Sequence, residues 1–374
     1  MSLILDGSNG ITFPNSSTQA VGFYGFKNRI INGAMVIDQR NAGASVTTNG
    51  TNTVSLDRWK MGYSQNTKFT VQQNAGSVTP PVGFVNYLGV TSTSAYTVGA
   101  GEAFSIYEVI EGYNIADLGW GTANASSVTL SFRVYSSLTG TFGGCLQNYS
   151  QARSYPFSYS VPVANTWTTI SVTIAGDTSG TWLTNNSGGI ILQFGLGVGS
   201  TYSGTAGSWS GSSYISATGA TSVVGTNGAT FYITGVQLEV GSTATSFDYR
   251  PYGTELALCQ RYYEKGYPQG TAPANGAVVD IRQGPATVYN TTTAEVGQIR
   301  FAVTKRTVPT ATLYNSSGTS ASAGQWSLYA GGWAGYSVAA GATDFALTVT
   351  LTVSALTNGS SYISSGGWAV SAEL

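Results

Sequence analysis

From Ser127 to Tyr135 apolar and polar residues take turns, and from Thr343 to Ser354 they do so for about twelve positions. A period of two puts one set of side chains on each face of a pleated strand, whereas a helix needs a period near 3.6. Thr166 to Ile174 and Ala229 to Glu239 read the same way, as does Gly297 to Val303. Gly189 to Leu196 is more continuously apolar, which suits a central strand. Clusters of Gly, Asn, Ser and Pro break the chain between these runs. Many short strands separated by turn signals specify an all-β chain of the sandwich or jelly-roll kind.

The runs divide the chain. Residues 1–25 read as an extended arm, with Leu3 to Leu5 and Ile11 to Pro14 on either side of the turn Asp6-Gly7-Ser8-Asn9-Gly10. A hairpin that short is marginal alone and needs something to pack on. Residues 26–250 form the strand-rich body. Thr254 to Lys265 holds the one helical pattern: Thr254 as N-cap, Glu255 in the first turn, Lys265 in the last, Leu256, Cys259 and Tyr263 on one face, and Gly266 and Pro268 to end it. A linking helix is therefore expected at 251–265, followed by a second, smaller β domain at 266–374. In that domain Gly331 to Gly335 and Gly366 to Trp368 place tryptophans in glycine-rich loops. No fixed-period repeat is present, which argues against a solenoid.

Composition excludes several function classes. Of 374 residues, 42% are apolar but only 8% are charged, against a usual value of roughly 25%. Disorder pairs low hydrophobicity with high charge, and this chain has neither. Fifteen Lys and Arg against sixteen Asp and Glu give no basic patch for a phosphate backbone, so no nucleic-acid partner is expected. There is no histidine, which removes Ser-His and Cys-His catalysis and the commonest zinc ligand. Cys145 and Cys259 lie far apart without metal-ligand spacing and read as small buried free thiols. No cofactor or metal is expected. The first residues lack the basic-then-apolar pattern of a signal peptide, and no apolar run approaches the ~20 residues that span a bilayer, so neither export nor membrane insertion is expected.

Glycoside hydrolysis needs two facing carboxylates. The densest acidic cluster is Glu102, Glu108, Glu111 and Asp117, but on a strand from Ser105 to Ile110 only Glu108 lies on one face, with Glu111 at the end, so these read as ordinary surface or turn acids. Asp57-Arg58-Trp59 reads as an ion pair over a core aromatic rather than a sugar plate. Glu239, Asp248 and Arg250 flank the last strand of the body, where a calcium site is conceivable but not expected. Gly195 to Gly199 lacks the helix that a nucleotide-binding loop requires and reads as a strand ending in a turn. Sugar binding needs exposed aromatic faces with polar neighbours, which loops supply more often than cores. The candidates are Trp182 before Asn185-Asn186, Tyr202 and Trp209 in a Gly/Ser loop with Tyr214 nearby, and Trp326, Trp333 and Tyr336 in the second domain.

Several phrases then fall into one pattern. NRIINGAMVIDQRN at 28–41, followed by LDRW at 56–59, resembles the opening of many phage tail-fibre and virion structural proteins. EGYNI at 111–115, LGWGT at 118–122, ITGVQLEVG at 233–241, FDYRPY at 247–252 and the helical segment continue it. VPTAT at 308–312 and SAEL at 371–374 are similar but weaker, so the resemblance is strong over about 26–265 and weak beyond. It implies a carbohydrate-binding-module-like jelly roll on a phage particle, and a homotrimeric tail-fibre or receptor-binding subunit assembled in the host cytoplasm. The arm at 1–25 would meet other virion proteins, and loop aromatics would meet host-surface polysaccharide. The family hands over no catalytic residues, so a non-enzymatic protein is expected. The alternatives are a capsid-associated fibre or decoration protein, or a polysaccharide depolymerase using the Glu102 to Asp117 cluster.

Overall fold

The computed structural model describes residues 4–6, 10–12, 18–19, 26–49, 54–278 and 281–374. The chain is all-β apart from one α-helix and a few short 3-10 turns among the described residues. Ile4–Asp6, Gly10–Thr12 and Thr18–Gln19 pair as a three-stranded antiparallel sheet. The rest of the expected arm lies outside the described residues, as do its contacts with any partner.

Two six-stranded antiparallel sheets form the body. Sheet I runs Thr168–Ile174, Val128–Ser136, Thr230–Val240, Leu88–Ser92, Phe69–Gln73, Val46–Thr47. Sheet II runs Ser154–Val161, Gly140–Asn148, Gly188–Val198, Ala103–Glu111, Trp59–Tyr63, Val54–Leu56. The chain crosses repeatedly between the two, the connectivity of a jelly roll. Inward side chains meet in an aromatic core: Phe132 of sheet I contacts Tyr159 and Phe194 of sheet II edge-on, with ring centres 5.0 Å apart in both pairs. Leu130, Val134, Leu192 and Phe231 pack around them, fully buried. The strands expected from alternation are present, with ends displaced by up to four residues.

The helix is shorter than the sequence pattern suggests. It spans Tyr252–Gln260, with Pro251 rather than Thr254 at its N-cap, and the Thr254 N–H already bonds to the Pro251 carbonyl. Tyr263–Lys265, expected as its last turn, instead pairs antiparallel with Gly367–Ser371. That pairing satisfies backbone groups that a longer helix would have had to satisfy itself. Gly367–Ser371 also pairs with Thr310–Tyr314, giving a three-stranded sheet. Trp368 therefore sits in a strand and is buried, not in a loop.

Beyond the helix, six strands close into a barrel in the order Arg282–Asn290, Thr293–Arg300, Ala346–Thr352, Trp333–Ala342, Gln325–Tyr329, Ser361–Ser365. Ala286, Val288, Val296, Trp326, Leu328, Leu347, Val349 and Leu351 fill it. Sandwich and barrel thus have separate cores. A smaller cluster of Ile31, Ile37, Cys259 and Tyr262 lies between the helix and the first residues of the body. Both cysteines are buried free thiols.

Candidate functional site

The strands of sheet II expose a second set of side chains on the face away from the core. Along Ala103–Glu111, Phe104, Ile106 and Ile110 enter the core, leaving Ser105, Tyr107 and Val109 outside. Along Gly188–Val198, Leu192 and Phe194 point in, and Ile191 and Gln193 point out. Along Trp59–Tyr63, Trp59 and Met61 point in, and Lys60 and Gly62 point out. These outward residues floor a cleft of about 720 Å³. Tyr149, after the Gly140–Asn148 strand, and Tyr202, in the turn Ser200–Tyr202, rise beside it, and Tyr63 closes its other side. Gly62 keeps the floor low, because a Cβ there would meet the Ser105 hydroxyl at 2.6 Å.

The polar groups of this floor are held in place. The Gln193 amide donates to Gln147 Oε1, and its own Oε1 accepts from the Ser105 hydroxyl at 3.3 Å. Gln147 in turn donates to the Tyr214 carbonyl at 2.7 Å and to the Ser213 hydroxyl at 3.3 Å. This chain fixes which end of each amide faces the cleft. Lys60 donates to the backbone oxygen of Leu374, which forms part of the rim. Among the described residues, no Asp or Glu lines the cleft.

The acidic cluster is dispersed instead. Glu102 accepts from the Tyr96 hydroxyl, Gln65 and the Gly99 N–H. Glu111 holds Arg261 and the Tyr262 hydroxyl, both at 2.6 Å. Asp117 pairs with Arg29. Glu108 faces inward and is fully buried, with Oε1 accepting from the Ile31 N–H at 3.1 Å and Oε2 unpartnered. Burial pushes its pKa up to about 8, partly opposed by Arg58.

Trp59 is a core aromatic, as expected. Asp57 and Arg58 do not pair with each other, however: Asp57 meets Arg40 at 3.2 Å, and Arg58 pairs with Glu373. Burial pushes Asp57 up to about 6. Glu239 is engaged by Gln237 and Thr245, and Asp248 by the N–H groups of Lys27 and Asn28, so nitrogen and hydroxyl donors occupy these carboxylates. Gly195 to Val198 belongs to a strand, with Gly199 just beyond its end.

Of the seven aromatics named from sequence, Tyr214 among them, only Tyr202 lines the cleft. Trp182 is buried, edge-on to Trp120 at 4.7 Å and to Trp209 at 5.5 Å. Trp209 is half-buried on the same cluster, against Tyr155, with its indole N–H on the Ala175 carbonyl. Trp326 is 0% exposed inside the barrel, and Tyr336 packs against that core. Trp182 and Trp326 correct the expectation of open loop aromatics: apolar neighbours cover both indole rings, whereas Trp209 and Tyr336 stay half-exposed. Trp333 lies half-buried on the outside of the barrel, 5.4 Å from Tyr329, with the Arg282 guanidinium over its ring. Tyr63, Tyr107 and Tyr149 were missed because they lie on or beside strands. Their signal was phase, since Tyr107 shares the outward register of Ser105 and Val109.

No family model matches the chain, and no curated protein matches it. Among solved structures it is similar to the enzymatically active domain of tailspike protein 4 from bacteriophage CBA120, at 13% identity and a TM-score of 0.32. That match covers 57% of this chain and 21% of the tailspike domain, so the chain spans about a fifth of it. It is also similar to a family 4 carbohydrate-binding module, at 14% identity and a TM-score of 0.27 over 56% of this chain and 98% of the module. A sugar-binding protein of Bacteroides thetaiotaomicron, itself assigned only provisionally, matches at 10% identity and a TM-score of 0.30 over 57% of this chain and all of that one.

Proposed function

We propose that this chain is a non-enzymatic, glycan-binding subunit of a phage tail fibre, and that the outer face of sheet II is where it holds sugar. The cleft carries this reading. Pyranose rings present weakly apolar C–H faces that lie on aromatic rings, and hydroxyl rims that need amide and hydroxyl partners. Tyr63, Tyr107, Tyr149 and Tyr202 offer the first, and Gln193, Ser105 and the phenol hydroxyls the second. The pre-set amides lower the ordering cost of binding. A lining free of Asp and Glu supports binding without hydrolysis, which requires two carboxylates across the scissile bond. The tail-fibre assignment draws on the sequence phrases of residues 26–265. A homotrimer would present three such clefts on one rigid particle and raise avidity without new contacts.

A glycan array probed with the purified protein tests the reading, together with light scattering. Retention of host-surface oligosaccharide, weakened roughly tenfold by Tyr107→Ala at unchanged melting temperature, is expected. Scattering should give three times the mass of one chain. Binding that survives Tyr107→Ala and Tyr149→Ala together would remove the cleft from consideration, and new reducing ends from the polysaccharide would replace the binder with an enzyme.

A further inference from the structure

The outside of the barrel carries an exposed row that the cleft does not use. Leu328 packs into the barrel core, so its neighbour Tyr329 points outward. Strand pairing sets Trp333 opposite Tyr329 on one side and Ile363 opposite it on the other, with Pro285 opposite Ile363. Residues directly opposite across paired strands share a face. Adjacent strands lie roughly 4.8 Å apart, so the four positions span roughly 14 Å, the length of a short oligosaccharide. Tyr329 is 44% exposed and Ile363 42%, while Pro285 is exposed and Trp333 half-buried. The rings are held in place: Tyr329 and Trp333 meet edge-on, and the Arg282 guanidinium lies over Trp333. Ala330-Gly331-Gly332 joins the two strands, and among the described residues no atom lies within 4 Å of where a Cβ would stand on either glycine. That end of the row is open to a ligand.

We infer that this strip is a second glycan platform, on which sugar rings lie by their apolar C–H faces. Its margins suit the hydroxyl rims. Thr287 and Ser361, the next outward pair on one side, join hydroxyls at 3.0 Å, and Arg282, Ser365 and Ser327 form the next row on the other. The width argues against a protein partner. A stable protein interface takes roughly 20–30 residues a side, whereas the strip is one residue wide between polar rows. A flat strip buries less of a sugar than a cleft does, so alone it binds weakly. On a polymer already gripped by the cleft it supplies a second hold within the same chain, which multiplies retention. The inference thus extends the glycan-binding reading to the second domain and rests on it.

The test uses the full chain labelled with fluorotryptophan and read by fluorine NMR, the Trp333 resonance being the one that disappears in Trp333→Phe. Bacterial-surface oligosaccharides, titrated to millimolar concentration, should shift that resonance. They should do so in Tyr107→Ala as in the wild type, because strip and cleft share no residue. Retention of the intact surface polysaccharide should fall ~10-fold or more in Trp333→Ala, while capture of short oligosaccharides by the cleft stays unchanged. If Trp333→Ala does not fold, the titration of the wild type decides. A Trp333 resonance that no glycan moves, with Tyr107-dependent binding intact, would overturn the platform and leave the cleft standing. A resonance that moves only with protein concentration, together with loss of the assembly in Tyr329→Ala, would assign the strip to contact between copies and overturn the inference. Binding to no glycan at either place would remove both.

Discussion

Arg58 lies with its guanidinium carbon 3.5 Å from the centre of the Tyr262 ring while pairing with Glu373. Three distant parts of the chain meet there: the turn before Trp59, the exit of the helix, and the segment after the last strand. Arg58 also donates to the Val109 carbonyl and is fully buried. Removing one partner from a buried ion pair leaves the other charge uncompensated. Arg58→Ala should therefore cost about 3–5 kcal/mol of stability, read by chemical denaturation. A loss under about 1 kcal/mol, the range of exposed pairs, would show that the contact is not a structural tie.

Trp182 offers the clearest contrast between a sugar plate and a packing residue. It is buried among Trp120 and Trp209. Trp182→Ala should destabilise the sandwich by about 3–5 kcal/mol. At temperatures where the variant remains folded, glycan retention should match the wild type. Calorimetric melting alongside the array separates the two effects.

Glu108 should give the chain a recognisable pH dependence. Its pKa is raised from an ordinary 4.5 to about 8, mainly by burial. The folded state thus holds a proton that the unfolded state has released between those values. Stability from this group is full below about 4.5 and is lost as pH rises towards 8. Asp57 acts in the same direction but only up to about 6, whereas Glu111 and Glu373, held below their ordinary values, lose stability as pH falls. Comparing the wild type with Glu108→Gln isolates the one group. The substitution should become progressively more favourable between pH 5 and 8.5, and parallel stability curves would contradict it.

Gln193→Ala should separate recognition from folding. It removes the link between Ser105 and Gln147 on the floor of the cleft. The stability cost should be about 1–3 kcal/mol, because two hydrogen bonds are lost and the buried Gln147 Oε1 loses its donor. Glycan affinity should fall further than that, because Gln147 loses the partner that fixes its amide. Equal losses in stability and affinity would argue against a pre-set site.

Much of the fold was legible because period-two alternation reports burial directly. Val128 to Val134 and Leu347 to Val353 announced strands from their apolar residues alone. The helix end was not legible, because Tyr263 to Lys265 has a helical composition but pairs with Gly367–Ser371 more than a hundred residues later, which local propensity cannot register. The site failed for a related reason. Trp182 and Trp326 sit near glycine and serine and read as loop residues, yet tertiary packing covers them. Tyr107 and Gln193 sit inside largely apolar runs that give neither any local mark, yet the opposite phase of the strand turns them outward. Legibility of the cleft required knowing which strands lie side by side in sheet II, which no local pattern shows.

The barrel between Arg282 and Ser365 closes on itself. Its strands carry no row of vacant N–H and C=O groups at a free edge, the template on which another chain could crystallise as an added strand. For molecules crowded side by side, this confines contacts at the barrel to side chains and keeps them reversible. At the barrel, then, a copy of the chain can lie against its neighbour without adding a strand to it.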